Sequence, residues 1–427
     1  MSATPHPRYD VPLTAADRFP NSIESSGGRV DSIDLLRGIV MVIMMLDHTR
    51  DFVHNAVYQF PPEDLSRTNV ALFFTRWITH FCAPVFVFLA GTGAYLQFAR
   101  GKSKAELSRF LVTRGLWLII LELTVVRLGI SFSLDYRFLA FLQVIWVIGV
   151  SMIILAALIH LPLKVIAGFG LVMIAVHNLF DDFRVTSWRP GTPVPGFGAT
   201  IWILLHQAFE GLPFPTSSGP VAFVIYPLVP WIGVMAVGYA FGALYQWEAR
   251  RRRRWLLIIG AETTALFIII RAINVYGDPA KWSEQKNALF TVLSFVNTSK
   301  YPPSLLFLLM TLGPSILALL WFEAAPSTGA IRNFFVTFGR VPLFFYLLQW
   351  FTAHIISILL HLAFGKPAGW LFKSPVELFT NGPPQGTGFN LGIVYLSWIA
   401  GVLLLYPLCK WFADVKQRRR DWWLSYL

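Results

Sequence analysis

The chain has 427 residues, of which 55% are hydrophobic and only 14% are charged. This composition excludes an intrinsically disordered protein. Recurring stretches of about 20 apolar residues also argue against an ordinary soluble enzyme, because that length crosses a bilayer. The formal net charge is +12 at pH 7, but the basic residues cluster in short connections between apolar stretches. That placement is typical of a membrane protein, so we expect a lipid bilayer and no nucleic acid as partner.

The chain divides into a long apolar region with a polar segment at each end. Residues 1–28 contain Pro and Gly and lack the apolar core of a signal peptide, so we predict a disordered cytoplasmic tail. Residues 29–413 are predicted to form a single transmembrane domain, and 414–427 a basic cytoplasmic tail. The two cysteines, Cys82 and Cys409, both lie in apolar stretches and are predicted to pack there without forming a disulfide.

We predict an all-α, polytopic membrane protein of about ten transmembrane helices, with both termini cytoplasmic and the cell (inner) membrane as its location. The predicted spans are 33–54, 70–99, 110–132, 138–160, 163–180, 221–246, 255–276, 302–322, 333–363 and 389–412. Even numbers of spans separate the basic clusters at 100–114, 250–254 and 410–420, so the positive-inside rule places all three in the cytoplasm. The long connections rich in Pro, Gly and Trp then face the outside.

The first predicted span is unusually polar for a membrane helix. Arg37 and His48 are separated by eleven residues, which places them on one helix face about 16 Å apart, with Asp34 one turn before Arg37. Histidine accepts and returns a proton near neutral pH, and Asp47 or Asp51 would hold its tautomer or stabilise its cation. The alternative is that His48 and Asp51 only cap the helix, and that Asp34 and Arg37 form a local ion pair.

The second predicted span and an outer connection add further polar candidates. Arg76 and His80 are four residues apart and share a helix face, and His80 would approach the level of His48. The alternative for His80 is an ordinary interfacial histidine. In the connection 181–220, His206 and Glu210 could contact an acceptor, although this is the less favoured interpretation.

Motifs for metal or soluble-type catalysis are missing from the sequence. It contains no HExxH, no paired CxxC, no GxSxG and no GxxxxGK[ST]. His48 and His54 are six residues apart, which places them on different faces of an ideal helix. We therefore expect no metal.

Four segments together resemble the bacterial branch of the heparan-alpha-glucosaminide N-acetyltransferase catalytic-domain family. They are SIDLLRGIVMVIMMLDH, FFTRWITHFCAPVFVFLAGTGAYL, SKYPPSLLFLLMTLGP and FGRVPLFFYLLQW. The resemblance extends from about Arg29 to Trp411. The spacing of Arg37 and His48 is also similar to the signature of integral-membrane acyltransferases that O-acetylate polysaccharides.

This resemblance implies transmembrane acyl transfer and glycan modification. Acetyl-CoA would supply the acetyl group from the cytoplasm. An amine or hydroxyl of a sugar or glycan would accept it on the far side of the membrane. A homodimer is a further possible partner arrangement. His48 would be the general base for the acceptor or a transient acetyl carrier. Arg37, with Asp34, would contact the CoA phosphates or organise the donor channel. Anion or structural contacts would come from further residues: Arg76, Lys300 and Arg340.

The sequence departs from the family in one respect. In the lysosomal branch an asparagine stands at the position matching His48, and the catalytic histidine lies farther along the chain. The nearest candidates for that role here are His54 and His80, so the choice among the three histidines stays open.

The rival function is a proton-coupled small-molecule transporter, in which Asp47, His48 and His80 would form a proton relay. Polar residues concentrated in the first two spans favour the enzyme, as a transporter more often shows two matching halves. A catalytically silent scaffold is a third alternative.

Overall fold

A computed structural model describes residues 30–426 except 190, 215, 326–327 and 420. The predicted tail 1–28 therefore lies outside the described residues. The protein is mostly helical, at 69% helix. The α-helices of the described chain are α1 Asp31–Val53, α2 Val70–Trp77, α3 Cys82–Ala99, α4 Lys104–Leu121, α5 Arg127–Ser131, α6 Val144–Leu158, α7 Leu163–Val176, α8 Phe197–His206, α9 Trp231–Phe241, α10 Ala249–Ile273, α11 Ala288–Val296, α12 Leu305–Ala324, α13 Ala330–Arg340, α14 Pro342–Ala363, α15 Pro375–Asn381 and α16 Leu391–Arg418.

Six helical segments are long and apolar enough to cross a membrane, within the part of the chain that the structure describes. They are Val70–Ala99, Leu163–Phe180, Ala249–Ile273, Leu305–Ala324, Pro342–Ala363 and Leu391–Arg418. Each overlaps one of the ten predicted spans, while the count of ten and the side on which the termini lie stay predictions. Helix α1 is about 34 Å long at 1.5 Å per residue, but its charged residues keep it out of this set.

A three-stranded sheet departs from the predicted all-α fold. Its strands are β1 Phe138–Leu142, β2 Glu210–Pro213 and β3 Val221–Val224, in the order β1-β3-β2. Strand β1 pairs parallel with β3, and β2 pairs antiparallel with β3. The predicted spans 138–160 and 221–246 therefore begin as strands, because a short apolar run cannot be assigned to helix or strand from periodicity alone.

The predicted span 333–363 also differs, because the structure divides it into α13 and α14. Val341 separates the two helices and Pro342 begins α14. Proline lacks the backbone N–H that would continue the first helix, whereas its fixed φ suits the first turn of the next. At the other end of the chain, α16 runs to Arg418, past residue 413 where the predicted membrane domain ends.

Reciprocal glycine pairs allow neighbouring helices to approach closely. A Cβ added at Gly38 of α1 would lie 1.8 Å from the Phe335 carbonyl oxygen, and one added at Gly339 of α13 would lie 1.8 Å from the Asp34 carbonyl oxygen. Gly91 and Gly238 join α3 to α9 in the same manner. Small residues at helix crossings are a general means of association in membranes, where lipid offers no hydrophobic driving force between helices.

Helix α1 lies in the interior of the helical domain. It packs against α3, α12, α13, α14 and α16, and most of its side chains are buried, including Asp47, His48 and Arg50. These three side chains therefore face protein, not lipid, as expected for ionisable groups at membrane depth.

Candidate active site

A cavity of about 380 Å³ lies at the Val53 end of α1. Asp47 and His48 of α1 line it, together with Arg76 of α2, Lys300 from the connection before α12, and Trp350 of α14. The segments that leave β1 and β3 at their carboxyl ends also contribute to its wall. The volume falls within the range of small-molecule sites.

The ring of His48 is held by aromatic stacking in the cavity wall. Its centroid lies 3.7 Å from that of Trp350, with an interplanar angle of 20°, and Tyr346 approaches at 6.4 Å with its edge. Among the described residues, His48 Nδ1 has no hydrogen-bond partner. The sequence suggested that Asp47 or Asp51 orients this ring, but their hydrogen bonds in the described part of the chain go to arginines. Adjacent residues on a helix point about 100° apart, which directs Asp47 away from His48.

Asp47 is the centre of a buried charge network. Its Oδ1 accepts a hydrogen bond of 3.0 Å from Arg50, and its Oδ2 accepts one of 2.5 Å from Arg76. Lys300 Nζ lies 4.0 Å from Asp47 Oδ2, and Arg50 also donates to Asp51 at 2.7 Å. One buried carboxylate thus holds three cations at the cavity, which limits the cost of burying them.

Glu63, in the connection between α1 and α2, completes the network. Its Oε1 accepts a hydrogen bond of 2.8 Å from Arg76 Nε. Burial alone would raise the pKa of Glu63, but the adjacent Arg76 guanidinium holds that pKa well below its usual range. With Asp47, Asp51 and Glu63 opposite Arg50, Arg76 and Lys300, the network balances its formal charges.

The three candidate histidines occupy different environments. His48 lines the cavity, whereas His54 and His80 are not among its lining residues. His80 is buried behind Arg76, with its Nε2 3.5 Å from Glu63 Oε1 and its ring 5.3 Å from that of Phe307. His54 accepts a hydrogen bond of 3.3 Å at Nδ1 from the Ala56 backbone. The geometry favours His48 as the reacting histidine, and its role stays a prediction.

Arg37, Asp34 and Arg340 lie at the opposite end of α1 from the cavity. Arg37 donates to Asp34 Oδ1 at 3.1 Å and to the Gly339 carbonyl oxygen at 3.3 Å. Arg340 follows Gly339 as the last residue of α13. None of the three lines the cavity, so any contact with a donor takes place about 16 Å from His48 along the helix.

Several cavity residues were not among the sequence candidates. Trp350 lies within a segment that carried the family resemblance, which is the one signal that could have identified it. Tyr226 and Tyr301 line the cavity and meet edge to face, with ring centroids 5.4 Å apart. Tyr301 lies in another segment that carried the resemblance, next to Lys300. Tyr226 and Glu63 carry no such signal, because each reaches the site through a long-range fold contact.

His206 and Glu210 do not line this cavity. Glu210 Oε1 accepts hydrogen bonds from Ser187 Oγ at 2.8 Å and Gln207 Nε2 at 2.9 Å. His206 instead lies beside His177 and Asp181. The suggestion that His206 and Glu210 contact an acceptor stays untested.

These features define a multi-pass helical membrane protein with a polar cavity built around a histidine. Comparison with protein families adds that residues 29–274, more than half of the chain, match the catalytic family model of heparan-alpha-glucosaminide N-acetyltransferase. The chain belongs to that family, and family membership implies an acetyltransferase enzyme. The predicted family is thereby confirmed, and placement in its bacterial branch stays a prediction. A search of curated proteins finds no match.

Proposed function

We propose that the protein transfers an acetyl or short acyl group from cytoplasmic acyl-CoA to a sugar or glycan on the extracytoplasmic side of the cell (inner) membrane. The observation that carries this proposal is the position of His48, which is buried in a ligand-sized cavity with Nδ1 unpartnered among the described residues and cations nearby. The family, as an acetyltransferase family, supports the class of reaction.

His48 is the proposed general base. Its imidazole takes the proton from the acceptor amine or hydroxyl as that atom attacks the thioester carbonyl carbon. Negative charge then develops on the carbonyl oxygen. The proposed stabilising groups are the cationic side chains of Lys300 and Arg76, which line the cavity. Collapse of the tetrahedral adduct breaks the carbon–sulfur bond, and the imidazolium returns its proton to the CoA sulfur. Trp350 keeps the ring plane fixed throughout, because stacking at 3.7 Å restricts tilting.

The donor would approach from the other end of α1. A cavity of about 380 Å³ suits the reacting ends of the two substrates better than a whole CoA molecule. We therefore place the CoA phosphates toward Arg37 and Arg340, with Asp34 fixing the Arg37 guanidinium through its 3.1 Å hydrogen bond.

The test combines donor binding with turnover. Purified wild-type protein is expected to bind acetyl-CoA and to release CoA when amino sugars are supplied. His48→Ala is expected to bind acetyl-CoA normally while acyl transfer falls about 10²- to 10⁴-fold, the usual contribution of a general base. The control is His160→Ala, which removes an exposed histidine.

Two results would overturn parts of this proposal. Absence of acetyl-CoA binding by the wild type would contradict the enzyme assignment and turn attention to the proton-coupled transporter. Full activity in His48→Ala, together with loss of activity in His54→Ala or His80→Ala, would move the base to that histidine.

A further inference from the structure

We propose that His177, Asp181 and His206 form a binding site for a divalent transition metal, with Zn²⁺ as the best match. The site lies where the turn following α7 meets the end of α8, away from the active-site cavity. It does not depend on the proposed acyl transfer. The sequence predicts no metal, because the third ligand is remote along the chain and the fold alone brings it to the other two.

The separations of the ligand atoms fit one ion. A ring nitrogen from each histidine and a carboxylate oxygen all lie within 4.8 Å of one another. His177 Nδ1 and His206 Nε2 are 3.3 Å apart, and Asp181 Oδ1 is 3.9 Å from His206 Nε2. Tetrahedral Zn²⁺, with bonds of about 2.0–2.1 Å, keeps two ligand atoms about 3.3–3.4 Å apart. The two nitrogens already have that separation. Asp181 Oδ1 would have to move closer to both of them, by about 0.5 Å in the case of His206 Nε2.

Hydrogen bonding is the alternative account of the same residues. His206 Nε2 also lies 3.1 Å from the His177 carbonyl oxygen, so without an ion it would donate there and toward His177 Nδ1. His177 is only 3% exposed, and its Nε2 has no hydrogen-bond partner in the described part of the chain. Within the described residues the hydrogen bonding of this ring therefore involves Nδ1 alone, which is the atom that would bind the metal.

Neighbouring residues fix the orientation of the proposed ligands. Asn178 Nδ2 donates to Asp181 Oδ2 at 2.8 Å, which leaves Oδ1 directed at His206. Asn178 Oδ1 in turn accepts a hydrogen bond of 2.8 Å from the Leu305 backbone. Trp202 stacks on His206, with ring centroids 5.3 Å apart. Such outer contacts orient ligands and raise the affinity of natural metal sites.

The ligand types select the metal and indicate what it would do. Two imidazoles and one carboxylate suit Zn²⁺, whereas Mg²⁺ and Ca²⁺ prefer oxygen ligands throughout. The ion would tie the end of α7 to the end of α8. A few residues farther on, Phe209 lines the active-site cavity. Metal binding would therefore stabilise one wall of that cavity.

The experiment uses full-length protein with a tag that contains no histidine, treated with EDTA. Titration with Zn²⁺ is expected to show one equivalent bound with a dissociation constant of about 1 µM or less and a higher melting temperature. Co²⁺ is expected to give the visible absorption of a tetrahedral site. His206→Ala and Asp181→Asn are expected to weaken Zn²⁺ binding at least tenfold, and Asn178→Ala about tenfold. The matched control, His160→Ala, is expected to bind Zn²⁺ as the wild type does.

A second variant separates loss of the ligand from loss of the fold. His206→Gln retains an N–H group that can donate to the His177 carbonyl oxygen but removes the imidazole ligand. It is expected to fold and to show no melting-temperature rise with Zn²⁺. The proposal is wrong if the metal-free wild type binds no Zn²⁺, or if Zn²⁺ binding is unchanged in both His206 variants.

Discussion

Asp47 and His48 are neighbours in the sequence, yet they serve opposite requirements. Asp47 is saturated by ion pairs, with Arg50 and Arg76 on its two oxygens. His48 has a nitrogen without a partner among the described residues and is held by the Trp350 ring instead. A group that must take up a proton during a reaction benefits from an uncommitted nitrogen, while the charges around it benefit from complete pairing.

Glu63→Gln tests the outer member of this network. The pKa of Glu63 is held below its usual value of 4.5 in the folded protein, with Arg76 as the stabilising charge opposing burial. A carboxyl with a depressed folded pKa adds stability above its unfolded pKa and loses that contribution as pH falls toward the folded pKa. We expect Glu63→Gln to cost about 1–3 kcal/mol near pH 7. The difference from wild type should shrink below about pH 4.5.

Thermal unfolding in detergent from pH 3 to 7 measures this difference. Glu284→Gln removes an exposed carboxylate and serves as the control. If the difference in stability between the wild type and Glu63→Gln stays constant over the whole pH range, the Glu63–Arg76 pair does not stabilise the fold.

The sequence predicts part of this site. Asp47, His48 and Arg76 were candidates because charged residues within apolar spans are costly, and all three line the cavity. Glu63 lies in a connection whose path over the helices no local pattern specifies. Tyr226 likewise lines the cavity because β3 pairs with β1, which is a long-range event.

At the scale of elements, glycines set how closely the helices approach. The α1–α13 crossing leaves no space for a Cβ at Gly38, since a carbonyl oxygen of α13 lies 1.8 Å from its position. The same crossing holds Arg37 against Gly339. A wider crossing would therefore move both α1 and the arginine predicted to meet the donor.

Gly38→Ala is expected to lower stability by about 1–3 kcal/mol or more, because a backbone carbonyl cannot rotate away as a side chain can. Acetyl-CoA binding should weaken with it. Gly93→Ala is the matched control, as Gly93 lies in α3 with no atom within 4 Å of an added Cβ. Since alanine is the better helix former, this control should be neutral or slightly stabilising. Equal melting temperatures for both variants would contradict the tight α1–α13 crossing.

The elements were predicted unevenly for physical reasons. Long apolar helices such as α10 and α12 overlap the predicted spans 255–276 and 302–322, because twenty apolar residues have few alternatives to a membrane helix. The five residues of β1 are equally apolar, and their strand conformation depends on β3 as a partner. Propensity cannot supply that information.

At the scale of the whole molecule, outward-facing apolar side chains mark the lipid boundary. Leu257 and Ile268 of α10 and Leu403 and Leu404 of α16 are each more than 50% exposed. Such exposure suits a hydrocarbon environment and would be a liability in water. The basic residues at the start of α10 carry the topology prediction.

Cysteine labelling tests that topology. The native Cys82 and Cys409 are both buried, so background labelling should be low. Arg250→Cys should react with a membrane-impermeant maleimide only after the cells are opened, and Val194→Cys should react in intact cells. Arg250 is preferable to Arg252, whose Nε donates to Glu323 at 3.0 Å. Labelling of position 250 in intact cells would contradict the predicted orientation and place the start of α10 outside the cell.

The small sheet has a consequence for how such a protein can change over evolution. Strands β1 and β3 are parallel, and the residues that leave them at the same edge, Gln143 and Tyr226, line the cavity. Phe209, just before β2, lines it too. Part of the cavity wall therefore belongs to a strand-and-turn module, whereas the exposed apolar side chains of α10 and α16 belong to helices. Substitutions in this module can therefore change the shape of the cavity during evolution while the helix surfaces that face lipid stay the same.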